Sequence, residues 1–141
     1  VRVKKEKIMR QFLLSLLLAV FMAQPALAEP TKILLHISDK RNAQVVQQAL
    51  ANIVQHYGEG DREIVLIANG PAVELFSKQL GKEALMQNLT MNDVEVGVCN
   101  IALRRFDVPE DQLYEGVKIF PESGIIRILE LQKQGYLYVK I

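Results

Sequence analysis

The chain has 141 residues, half of them apolar and 23% charged, with no tryptophan and one cysteine. This fits one globular domain and excludes a disordered or collagen-like chain, an internal disulfide framework and a cysteine-rich zinc site. The net charge of +1 hides an asymmetry: positions 1–28 hold five basic residues against Glu6 alone, leaving 12 basic and 15 acidic residues at 29–141, a net charge of −3 that argues against a nucleic-acid partner.

The basic start (Arg2, Lys4, Lys5, Lys7, Arg10) precedes an apolar stretch, Phe12 to Met22, and then Ala26-Leu27-Ala28. A charged region, a short apolar region and a small-x-small site form the pattern of a secretory signal peptide. The stretch covers about half of a ~30 Å hydrocarbon core at ~1.5 Å per residue, so a spanning helix is disfavoured. An uncleaved interfacial anchor is the alternative. No twin arginine precedes the stretch, which favours the general export route. Met9 to Ala28 is a complete signal by itself, so Met9 is an alternative start to Val1. The expectation is a signal at 1–28 and a mature domain at 29–141. That domain would be periplasmic or secreted and keep no membrane span after cleavage.

In the mature part, Lys32 to Ile37 reads as a buried strand, and Ser38 or Asp39 can cap the helix after it. In that helix Val46, Leu50, Ile53 and Tyr57 share a face, and Gly58 is the natural stop. Glu63 to Ala68 is a second strand, its unbroken apolar run suited to a parallel sheet covered on both faces. After the Asn69-Gly70-Pro71 turn come a short helix, Ala72 to Phe76, and a second from Lys82 to Met91. Val94 to Cys99 alternates as a third strand, followed by a short helix from Asn100 to Phe106. Val117 to Phe120 is the fourth strand. Ser123 caps a last helix, Gly124 to Gln134, and Tyr136 to Lys140 is the final strand. Alternating strands and helices give right-handed crossovers and a mostly parallel five-stranded sheet between helical layers. The strand order is not readable.

The last helix spreads Ile125, Ile126, Ile128, Leu129 and Leu131 over an arc of roughly 220°, where a helix lying on a sheet needs little more than ~100°. Either it is wedged between neighbours, or its outer flank is covered by another copy of the protein.

Ligands of open parallel sheets bind beyond the carboxyl ends of the strands. That edge gathers His36, Ser38, Asn69, Gly70, Cys99, Asn100 and Ser123. Cys99 stands where the third strand meets a helix, so its sulfur can face the free N–H groups of that helix, which favour thiolate over thiol. Arg104 and Arg105 lie further along, and either can hold an anion. Against this, a free cysteine is commonly a small buried hydrophobe. His36 is a possible base for Cys99 or a structural hydrogen-bonding residue. His56, near the end of the first helix of the mature part, reads as solvated, as does the Glu110-Asp111 loop. There is no His-x-x-x-His, acidic ligand cluster, glycine-rich phosphate loop or Gly-x-Ser-x-Gly, so no metal, cofactor or serine hydrolase is implied.

At Cys99-Asn100-Ile101-Ala102-Leu103-Arg104-Arg105 the sequence resembles the DsrE/DsrF-like family, which includes sulfur-relay members of the DsrE and TusD type. The likeness extends to Lys32 to Ile37, Asn69-Gly70-Pro71-Ala72-Val73, Gly116-Val117 through Ser123-Gly124, and Leu131 through Tyr138. Phe106 departs from it, standing where many relatives have glycine. The resemblance implies a three-layer α/β/α sandwich, assembly into trimers or hexamers, and a persulfide on the matching cysteine that passes sulfur from donor to acceptor proteins. By position that role falls on Cys99. The expected site is then Cys99 as nucleophile, with His36, Asn69, Gly70, Asn100 and Arg104 binding. The alternative is a non-catalytic, oligomeric module that binds a small ligand or a partner while Cys99 merely packs.

Overall fold

The computed structural model describes residues 2–21 and 29–141. Helix α1 covers Arg2–Phe21, and no described helix is long and apolar enough to cross a membrane. The expected cleavage site, Ala26-Leu27-Ala28, lies outside the described residues.

The five expected strands form: β1 (Thr31–Ile37), β2 (Arg62–Ala68), β3 (Val94–Cys99), β4 (Lys118–Phe120) and β5 (Leu137–Lys140). They make one sheet in the order β4-β3-β2-β1-β5, with every neighbouring pair parallel. The sheet is thus parallel throughout, where the sequence indicated only a mostly parallel one. The first three connections step outward one strand at a time. The last leaps from β4 across β3, β2 and β1 to the opposite edge. With right-handed crossovers, that reversal carries its helix to the other face of the sheet.

The two faces are therefore covered unequally. On one, α2 (Ala43–His56), α3 (Glu83–Met91) and α4 (Asn100–Arg105) contribute Val46, Leu50, Leu85, Leu89 and Leu103 to a core with Leu35, Ile37, Leu66, Val96 and Val98. On the other, α5 (Gly124–Lys133) presses Ile128 and Leu131 onto Leu34, Val65, Ile67 and Phe120. With two anchoring side chains on α5, truncating either to alanine is expected to cost about 2–5 kcal/mol. Three layers result, with α5 forming the second helical one among the described residues.

Local chemistry sets the helix starts. Asp39 accepts from the Arg41 N–H at 2.9 Å, capping a 3-10 turn, Lys40–Asn42, that leads into α2. Ser38 instead accepts from Lys140 Nζ at 2.5 Å. Ser123 accepts from the Ile126 N–H and caps α5 as expected. The segment after β2, expected as a short helix over Ala72 to Phe76, is a 3-10 helix, Gly70–Phe76. In that geometry side chains three apart eclipse, so Ala72 and Leu75, and Val73 and Phe76, stack as buried pairs.

Ile125, Ile126 and Leu129 of α5 are 59%, 46% and 51% exposed. Within one chain the wide apolar arc is therefore not explained by a wedged helix; its outer flank is open.

Candidate functional site

Cys99 ends β3 with extended backbone (φ −76°, ψ 119°) and stands at the N-cap of α4. Along the strand, Gly97 and Cys99 point to the face that carries α5. The sulfur makes no capping bond to α4. It accepts a hydrogen bond from the Gly124 N–H, the first residue of α5, at 3.3 Å. This corrects the expectation that the helix after β3 would supply the donors: they come from the helix of the long crossover. Glycine leaves this approach unstrained: a Cβ on Gly124 would stand 3.2 Å from Cys99 Cβ, which would have to yield by a few tenths of an ångström, and 3.6 Å from Asn69 Cβ, an ordinary contact.

Cys99 is only 6% exposed, but it borders a cavity of about 460 Å³. Asn69, Gly70 and Pro71 form one wall, Ser123, Gly124 and Ile125 another, and Ile101, Ala102, Arg105 and Phe106 of the α4 region a third. Among the described residues the lining holds one cation, Arg105, and no carboxylate. Helix N-terminus, amide and guanidinium together suit an anion, while Ile101, Phe106 and Ile125 suit an apolar body attached to it.

Of the residues expected here, Cys99, Asn69 and Gly70 line the cavity; His36, Asn100 and Arg104 do not. Arg104 Nη1 donates to Asn100 Oδ1 at 2.9 Å, so these two satisfy each other one helical turn apart. Arg105 takes the cavity side instead. Helical spacing carries that signal: Ile101 with Arg105, and Ala102 with Phe106, are i, i+4 pairs on the other flank. No local pattern announces Gly124, which is 25 residues from Cys99.

His36 is 8% exposed, and its Nδ1 lies 2.7 Å from the Tyr138 hydroxyl. Strand β2 separates it from Cys99, so the two do not form a nucleophile–base pair. Burial pulls the His36 titration below its ordinary value; a contact with Asn69 opposes this, and the Lys140 charge adds to it. His56 is exposed and stacks edge-on against Tyr57. Among the described residues no group of three His, Cys, Asp or Glu is placed to hold a metal ion.

Another groove, of about 370 Å³, runs between α3 and the loop around Tyr114, lined by Met86, Met91 and two glutamates, Glu83 and Glu115. It shares no residue with the Cys99 cavity.

Residues 32–141 match the sequence model of the DsrE/DsrF-like family. The chain belongs to that family. Membership brings a sulfur-relay-related role as the general expectation for the chain. Among curated proteins, none matches it. Its fold is similar to that of a protein of unknown function from Methanobacterium thermoautotrophicum, at 21% identity and a TM-score of 0.71 over 79% of this chain and 99% of that one. It is also similar to a conserved protein of unknown function from Bacteroides thetaiotaomicron, at 16% identity and a TM-score of 0.55 over 77% and 94%. At these identities the two neighbours support the fold alone.

Proposed function

We propose that the protein carries sulfane sulfur as a persulfide on Cys99. The observation that carries this reading is the hydrogen bond from the first N–H of α5 to Sγ, at the border of a cavity with a cation and no carboxylate. Family membership supports it. The step is a displacement. The Cys99 thiolate attacks the outer sulfur of an anionic donor, the Sγ–S bond forms as the donor's S–S bond breaks, and the donor leaves as a thiolate, or as sulfite from thiosulfate. The product is a persulfide anion on Cys99, with no net oxidation. An acceptor thiolate then removes the outer sulfur and returns the Cys99 thiolate. Gly124 N–H and Arg105 favour negative charge on the sulfur before and after each transfer.

The test is the intact mass of the full chain after incubation with thiosulfate, polysulfide or an organic persulfide. Wild type is expected to gain one sulfur atom that a reductant removes, and Cys99→Ala to gain none. Equal uptake by both, or none by wild type from any donor, overturns the reading.

The low exposure of Cys99 favours a second reading, a non-catalytic ligand- or partner-binding module in which the sulfur only packs. Alkylation distinguishes them: a thiol that reacts only after unfolding supports the module.

We also propose self-association through the open flank of α5, and export through the basic and apolar N-terminal segment. Donors and acceptors would then be those of the periplasm or the exterior. Sequencing the N-terminus of the protein from its native compartment tests export, and a retained residue 1 or 9 sinks it.

A further inference from the structure

Among the described residues, two buried polar atoms at the ends of neighbouring strands have no hydrogen-bond partner, His36 Nε2 and Asn69 Oδ1, and of the two residues Asn69 lines the Cys99 cavity. They lie on adjacent strands: His36 pairs in register with Ile67 of β2, and Asn69 follows that strand, its own N–H bound to the Ile37 carbonyl at 3.0 Å. Each is what the other lacks. An unmatched buried polar group is costly, so a small rotation that joins the two removes two such penalties at once.

The ring chemistry sets the direction of that bond. Nδ1 lies 2.7 Å from the Tyr138 hydroxyl, which can donate to it. A neutral imidazole carries one proton; with Nδ1 accepting, it sits on Nε2 and is donated to Asn69 Oδ1. An amide whose oxygen is held this way turns its NH2 to the opposite side. Asn69 lines the cavity with Cys99, and both Cβ atoms lie close to Gly124.

We propose that His36 is a positioning residue, fixing the Asn69 amide so that its NH2 donates into the Cys99 cavity as a second hydrogen bond to the sulfur anion. This rests on the reading of Cys99 as a sulfur carrier. The anion is then held by Gly124 N–H on one side and Asn69 on the other, with Arg105 on the cavity wall. The other charged or titratable groups around this pair are Tyr138, whose hydroxyl meets His36 Nδ1, and Lys140, whose Nζ bonds Ser38.

The first measurement needs no variant of the amide or the imidazole. In the full chain, the Asn69 side-chain NH2 resonances are followed by NMR while the Cys99 thiol is titrated. They are expected to move with ionisation of the thiol, and to stay still over the same range in Cys99→Ser. The second is the pH profile of alkylation. Asn69→Asp puts an oxygen where the NH2 stood and is expected to raise the pH of half-reaction by about one unit, with tenfold slower reaction at neutral pH. His36→Leu shifts the profile the same way by a smaller amount. His36→Gln, which keeps an N–H near the Nε2 position, recovers most of the wild-type profile.

Asn69 resonances indifferent to the thiol, or a profile unmoved in folded Asn69→Asp, overturn the proposal. Both readouts need the thiol but no bound sulfur. A chain that never takes up sulfur while its amide follows the thiol therefore retains this assignment and loses the carrier reading.

Discussion

The backbone N–H of Gly124 meets the sulfur of Cys99 at 3.3 Å, joining the start of α5 to the end of β3. Proline is tolerated at the first position of a helix, where an N–H is spare, so Gly124→Pro removes the donor while α5 can still start there, and it sets a ring carbon where the N–H met the sulfur. A hydrogen bond to a charged group contributes about 1.5–3 kcal/mol, so alkylation of Cys99 at neutral pH is expected to slow about tenfold or more. Gly124→Ala is the control: it keeps the N–H, and its Cβ asks Cys99 to yield only a few tenths of an ångström. Equal rates for the proline and alanine variants would show that the bond does nothing for the sulfur.

Gly97 sits two residues before Cys99 on the same face of β3, and Phe120 of β4 lies across it. A Cβ on Gly97 would stand 2.0 Å from Phe120 Cε2, so the ring occupies the space that a side chain would need. Phe120 belongs to the small core under α5 and holds the Arg127 guanidinium 5.3 Å from its centroid. Gly97→Ala is therefore expected to destabilise the fold by about 1–3 kcal/mol through overpacking, read as a lower Tm. Adding Phe120→Leu should recover part of the loss. No recovery would mean that the strain lies elsewhere.

The strands were legible because each is a continuous or alternating apolar run with sharp polar boundaries, from Thr31–Ile37 to Leu137–Lys140. Their order was not, because nothing local in Pro121 to Gly135 says which edge of the sheet the chain returns to. Two features of the site follow from that one crossover: α5 packs on the face opposite α2, α3 and α4, and its first N–H reaches Cys99. Asn69, Gly70 and Cys99 were found from strand ends alone. Choosing Arg105 over Arg104 required the phase of a six-residue helix, which is fixed by the Asn100–Arg104 bond. The 3-10 form of Gly70–Phe76 is not legible in the sequence, because apolar residues three apart fit either helix type.

The buried imidazole of His36 gives the fold a pH dependence of defined sign. Its titration is pulled down by burial, partly offset by Asn69 and reinforced by Lys140. Between the lowered folded value and the ordinary 6.5, the unfolded chain binds more protons, so stability rises with pH. The contribution is complete above about 6.5 and is lost as pH falls through the folded value. Thermal melts are expected to show a lower Tm at pH 5 than at pH 7.5, with the difference reduced in His36→Gln. An unchanged difference in that variant would assign the acid sensitivity to other groups.

The exposed flank of α5 makes the quaternary structure testable without disturbing the fold. Ile125, Ile126 and Leu129 point outward while Ile128 and Leu131 anchor the helix, and Leu137 and Val139 of the edge strand add exposed apolar surface. Covered by a second copy, this surface contributes about 25 cal/mol for each Å² of apolar area removed from water. Ile125 also lines the Cys99 cavity, so a neighbour on α5 would become part of its rim. Wild type is expected to sediment as a trimer or hexamer. Leu129→Asp and Ile126→Asp should each give a monomer whose Tm at high dilution stays within about 0.5 kcal/mol of wild type in stability terms, as for other surface substitutions. The monomeric variants should also alkylate faster at Cys99, because the cavity loses its added wall. A monomeric wild type ends the self-association reading, and an assembled Leu129→Asp places the interface elsewhere.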